Sequence, residues 1–117
     1  MQYISGVSEL NEFIVSNMEE GKIIMIYFGA EWCGPCKQLK NRLDDSETKQ
    51  QLRNLAVGYL DVEDRNNTTL VEKRYKVSVL PTQIFITVED NKVIEISRIE
   101  GYNFDRLEAE YHKILSN

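Results

Sequence analysis

The chain has 117 residues, with 14 Lys and Arg against 19 Asp and Glu, for a formal net charge of −5. This acidic balance, without a basic patch, argues against nucleic acid or an anionic membrane as partner, and 42% hydrophobic with 28% charged content suits one soluble domain over 1–117. The first residues lack a basic segment followed by an apolar one, and no apolar run nears the ~18 residues that cross a bilayer, so a reducing, cytoplasmic setting is expected.

Tyr3-Ile4 reads as a short edge strand. Ser8 is expected to cap a helix with Glu9 in its first turn. Leu10, Phe13, Ile14 and Met18 then follow at helical spacing, and Gly21 ends the run. Met18 and Met25 are expected as core filler. The stretch Ile23 to Phe28 is apolar at every position, which suits a central strand covered on both faces. Gly29-Ala30-Glu31 leads from it into Trp32-Cys33-Gly34-Pro35-Cys36-Lys37.

Beyond Cys36 the spacing predicts a helix through Leu39 and Leu43, weakened at Asp44-Asp45-Ser46, with a further helical piece carrying Leu52 and Leu55. Ala56 to Val62 reads as a second buried strand. Glu63 to Asn67 reads as polar loop. Thr68 or Thr69 would cap a short helix with Leu70, Val71 and Tyr75. Gln83 to Val88 is a third strand, Glu89-Asp90-Asn91 a turn, and Val93 to Ile99 the returning strand. Gly101 breaks that strand, and Asn103 caps a last helix whose Phe104, Leu107, Tyr111 and Ile114 form an apolar stripe. Alternation early and a hairpin late predict an α/β fold. Its central mixed sheet would have about four to five strands, with helices on both faces.

The two cysteines are the chemical centre. A strand that ends at Cys-x-x-Cys and then becomes a helix puts the first sulfur at the helix N-terminus, where unpaired N–H groups and the macrodipole favour a thiolate. The second sulfur lies one turn along the same face. Pro35 fits the first turn, where its missing N–H would have been unpaired anyway. Two cysteines and one distant histidine, His112, are too few for a structural zinc site, so no metal is expected. A disulfide closing so small a loop would staple little. The pair therefore reads as a dithiol that closes and reopens.

The run Ala30-Glu31-Trp32-Cys33-Gly34-Pro35-Cys36-Lys37, followed about 45 residues later by Leu80-Pro81-Thr82 and then by Gly101, resembles the thioredoxin family, whose element order matches nearly the whole chain. The resemblance implies a thioredoxin fold and a protein-disulfide reductase. Cys33 would attack a substrate disulfide, and the more buried Cys36 would resolve the mixed disulfide. It implies no bound cofactor beyond the redox-active disulfide and a flavin- and NADPH-dependent thioredoxin reductase as electron source. Disulfide-containing proteins would be the substrates, and the chain is expected to act as a monomer.

It further implies a substrate surface of Trp32, Gly34, Pro35, Leu80, Pro81 and Gly101. A cis bond before Pro81 would leave the Leu80 backbone free to pair with an extended peptide. From the residues alone, Pro81 would instead be a trans proline opening an edge strand. Gly101 reads equally well as a plain strand terminator. Tyr27, Tyr59 and Lys37 are expected to modulate the site. Tyr27 stands where the family usually carries a buried aspartate, and Tyr59 where it usually carries a lysine. A phenol is a poor base at neutral pH. Slower release of the mixed disulfide is therefore expected, with a small stability cost at Tyr27 itself, and Tyr27→Asp should speed that release. These departures keep open a specialised oxidase or isomerase, or a client-binding subunit.

Overall fold

The computed structural model describes residues 1–117. Five strands form one mixed sheet in the order β1-β3-β2-β4-β5, with β1 Gln2–Tyr3, β2 Ile23–Gly29, β3 Leu55–Asp61, β4 Thr82–Glu89 and β5 Lys92–Glu100. β3 runs parallel to β1 and β2, whereas β4 is antiparallel to both β2 and β5. Four α-helices accompany the sheet: α1 Gly6–Glu19, α2 Gly34–Asp44, α3 Ser46–Gln51 and α4 Phe104–Leu115. A 3-10 turn at Arg65–Asn67 and a π-helical turn at Leu70–Arg74 fill the crossover to β4.

β2 is central because both of its faces are apolar, and burying a large aliphatic side chain stabilises by roughly 1.5–3 kcal/mol. Ile24, Ile26 and Phe28 point to one side, where Leu10, Phe13 and Ile14 of α1 meet Leu70 and Tyr75. Met25 and Tyr27 point to the other, against Leu39 and Leu43 of α2 and Phe104, Leu107 and Tyr111 of α4. Helices thus cover both faces, as the sequence pattern predicts.

The start of α1 differs from expectation. The helix opens at Gly6 with Ser5 in the cap position, not at Ser8. The reason is tertiary. The buried side chain of Asn67 accepts the Gly6 N–H at 2.7 Å and donates to the carbonyls of Ile4 and Asp61 at 3.3 and 3.1 Å. Glu9 reaches back to the Ser5 N–H. Asn67, read from sequence as loop, is therefore a fully buried pin between α1 and the end of β3. Losing it would strand the Gly6 N–H and the Ile4 carbonyl, each worth about 1 kcal/mol, while the Asp61 carbonyl would keep the Asp64 N–H at 3.1 Å.

Two further residues depart from the sequence reading. Leu55 is not helical but opens β3 opposite Ile23. Met18 lies on the last turn of α1 and is exposed, whereas Met25 is fully buried. Elsewhere the local rules hold. Asp45 ends α2 and caps α3, its carboxylate accepting the Thr48 N–H. The β4–β5 turn is made by Asp90 and Asn91, both at positive φ (52° and 63°), a conformation that Asp and Asn tolerate without glycine.

Candidate active site

The reactive end of the molecule lies where β2 and β3 finish and β4 begins. β2 stops at Gly29, the Cys33 N–H turns back to the Ala30 carbonyl at 3.2 Å, and α2 starts at Gly34. Cys33 is the N-cap of α2, with extended backbone (φ −88°, ψ 109°), and its Sγ accepts the Cys36 N–H at 3.2 Å. Pro35 sits in the first turn, where no intrahelical N–H bond is lost. The two sulfurs are joined in a disulfide, with the Cα atoms 5.2 Å apart. Opening it would leave the Cys33 sulfur at the positive end of an 11-residue helix, within reach of an amide donor, and both features favour the thiolate. Cys33 is 6% exposed and Cys36 2%, so the second sulfur is the more enclosed.

Trp32 is 67% exposed, and its indole N–H donates to a Glu63 carboxylate oxygen at 2.6 Å, so it is a surface residue beside Cys33 and not part of the core. Glu63 thus steadies the indole. Gly34, Pro35 and Lys37 are exposed on the first turn of α2. The Leu80–Pro81 bond is cis, and Pro81 is buried. The Leu80 N–H and carbonyl make no hydrogen bond within the chain. Gly101 donates its N–H to the Pro81 carbonyl at 2.7 Å and adopts φ +89°, which strains any residue with a side chain. Since Phe28 pairs with Thr82, and Thr82 with Glu100, the Pro81–Gly101 corner lies at the dithiol end of the sheet.

Beneath the dithiol a single register row crosses the sheet: Tyr3, Tyr59, Tyr27, Gln83 and Ile99, one from each strand. The Tyr27 and Tyr59 rings touch at 5.0 Å between centroids, as do those of Tyr59 and Tyr3. The two inner tyrosines do not hydrogen-bond to each other. Tyr27 is 1% exposed and its hydroxyl donates to the Cys36 carbonyl at 2.5 Å. Tyr59 keeps its contact with Tyr27 and borders a cleft behind Cys36. Gln83, unremarked in the sequence, is fully buried. Its amide donates to the Gly101 carbonyl at 3.2 Å, while its side-chain oxygen has no partner. An amide next to the apolar run Ile84-Phe85-Ile86 was its only sequence signal. No three His, Cys, Asp or Glu side chains cluster as a metal site would require.

Burial pushes the Tyr27 phenol well above its ordinary value, and the neighbouring Tyr59 adds to the effect. Burial, then Asp61, raises Tyr59 to about 12. Tyr75, on the opposite face, is raised chiefly by burial too. In the unfolded chain these phenols ionise near 10. The unfolded state therefore loses protons first as pH rises, so stability is full below about pH 10 and falls towards 12. An alkaline absorbance titration should show three of the six tyrosines ionising late, together with loss of the folded circular dichroism signal.

A family model described as Thioredoxin matches residues 6–112. The chain belongs to the thioredoxin family. A thioredoxin H-type from Fagopyrum esculentum is 33% identical over 108 residues, covering 92% of this chain and 83% of that protein. A thioredoxin from Coprinus comatus is 29% identical over 116 residues, covering 99% of each. Among solved structures, a thioredoxin from Thermus thermophilus shares the fold with a TM-score of 0.78 at 21% identity, covering 98% of this chain and 87% of that one. The thioredoxin fold expected from the sequence is the fold observed. The Cys33–Cys36 pair makes the chain a thiol-disulfide oxidoreductase acting on protein disulfides.

Proposed function

We propose that this thioredoxin works as a reductase in which Cys33 is the nucleophile and Cys36 the resolving thiol. The observation that carries this reading is the asymmetry of the pair. Cys33 caps α2 and receives an amide hydrogen bond on sulfur, while Cys36 lies one turn deeper under Tyr27. The Cys33 thiolate attacks a substrate disulfide, and one substrate thiolate leaves. Cys36 then attacks Cys33, the second substrate thiolate leaves, and the protein disulfide holds the two electrons' worth of oxidation. Trp32, Gly34, Pro35, Leu80, Pro81 and Gly101 form the docking surface in this reading. The unpaired Leu80 backbone supports strand-like pairing with an extended segment of substrate.

The chain acts on this view as a monomeric electron carrier of one domain in the cytoplasm, recharged by a flavin- and NADPH-dependent thioredoxin reductase. Insulin reduction by dithiothreitol should accelerate with the protein present and not with Cys33→Ser. The pair's reduction potential should lie below about −220 mV, within or beneath the cytosolic glutathione poise. The phenols at 27 and 59, in place of the family's aspartate and lysine, favour a second reading as an oxidase or isomerase. A potential above about −180 mV would establish that one instead.

A further inference from the structure

Behind Cys36 a cleft of about 250 Å³ opens between α2 and the end of β3. Each water needs only ~10–15 Å³ of such space, so the cleft holds several, and polar groups line it. Cys36 forms part of the wall, with Tyr27 and Tyr59 beside it. The other ionisable groups facing it are Tyr3 from β1, Glu31 from the loop before α2, Lys37 and Lys40 from α2, and Asp61 from β3.

Cys36 must lose a proton when it attacks Cys33, and the buried side chain bonded to its backbone, Tyr27, is a phenol and not a carboxylate. The Tyr27 hydroxyl cannot take that proton on. Its own hydrogen is committed to the Cys36 carbonyl, and burial disfavours the phenolate. Tyr59 is held neutral for the same reason. Lys40 is engaged with the Tyr3 hydroxyl, and Lys37 is a cation with no lone pair to offer.

Two carboxylates remain, and they differ in how they are held. Glu31 is exposed and makes no hydrogen bond in the chain. Asp61 is half-buried. One carboxylate oxygen accepts the Glu63 N–H at 2.9 Å, and its backbone carbonyl is pinned by Asn67 at 3.1 Å. It is also the register partner of Gly29, the last strand residue before the dithiol loop, so its distance from that loop is fixed by the sheet.

We propose that Asp61, acting through water in this cleft, accepts the proton that Cys36 releases as it displaces substrate from Cys33. The step balances. The Cys36–Cys33 bond forms, the Cys33–substrate bond breaks, and the substrate thiolate carries away the electron pair. The Cys36 proton moves by way of water to the Asp61 carboxylate and then to solvent. Asp61 is thus a positioning residue for resolution and has no part in the first attack. This role presupposes the dithiol exchange read above.

The two steps separate in a stopped-flow reaction of the fully reduced protein with a chromogenic aryl disulfide, which releases one coloured thiolate per step. The first release reports Cys33 and hence the reductase reading itself; the second reports Cys36. Asp61→Asn should slow the second release by about tenfold at neutral pH, a modest share of general-base catalysis. Its pH profile should move to higher pH, and the first release should stay within about twofold, since that step needs no base. Asp61→Glu should recover part of the loss, and Glu31→Gln should match the wild type. Removing an anion acts in the opposite sense if Asp61 serves only as a charge: Cys36 becomes more acidic and the second release speeds up at neutral pH. That acceleration, an unmoved profile, equal slowing of both releases, or the loss appearing in Glu31→Gln would overturn the assignment. Thermal melts of each variant identify any loss due to unfolding.

Discussion

Cys36→Ser should give a protein that attacks a disulfide once and then stops. Without a second thiol nothing displaces the substrate from Cys33, so insulin turnover should fall by about three orders of magnitude, roughly 4 kcal/mol of transition-state stabilisation. The mixed disulfide should accumulate as a one-to-one adduct on a non-reducing gel and disappear on adding dithiothreitol. The fold should survive, because the pair closes a loop of one helical turn and removes little chain entropy. Turnover by Cys36→Ser at the wild-type rate would show that another group resolves the adduct.

Tyr27→Asp should change rate and stability in opposite directions. The new carboxylate would sit at the base of the space that the phenol vacates below the Cys36 backbone, where water can bridge the gap, and burial would raise its affinity for a proton. Release of the mixed disulfide should therefore quicken by about tenfold, within the ordinary range of general-base catalysis. The substitution should cost much stability. Tyr27 is 1% exposed, touches Tyr59 and bonds the Cys36 carbonyl. Truncating so large a buried ring should lower unfolding stability by about 3 kcal/mol. Urea titration measures that loss, and single-turnover kinetics the gain. Unchanged or slower release would remove the idea that the missing carboxylate limits this enzyme.

What could be read from the sequence followed the range of the forces involved. The dithiol loop is governed by neighbours within one turn, so strand, cap, Pro35 and helix were all legible locally. The stripes of α1 and α4 and the apolar run of β2 were equally plain, because burial imposes its period on each segment alone. Ser8 misled because the first N–H of α1, that of Gly6, is met by Asn67, 61 residues away. No local rule reports such a partner. Tyr27 and Tyr59 could be singled out as departures from a family pattern, but their contact and the donation to the Cys36 carbonyl needed the sheet register. Gln83 and Asp61 escaped notice for the same reason. Each is ordinary in its own stretch and acquires meaning only beside residues from other strands.

The Asp90–Asn91 turn has a practical use. It joins β4 to β5 at the end of the hairpin away from Pro81, and β4 spans Thr82–Glu89. At ~3.3 Å per residue, the tip stands roughly 23 Å along the strand from the reactive rim. A dye, surface anchor or fused reporter attached there would leave the cysteines free to meet their clients. Captured proteins could then be pulled down, or an electrode wired, without obstructing the exchange itself.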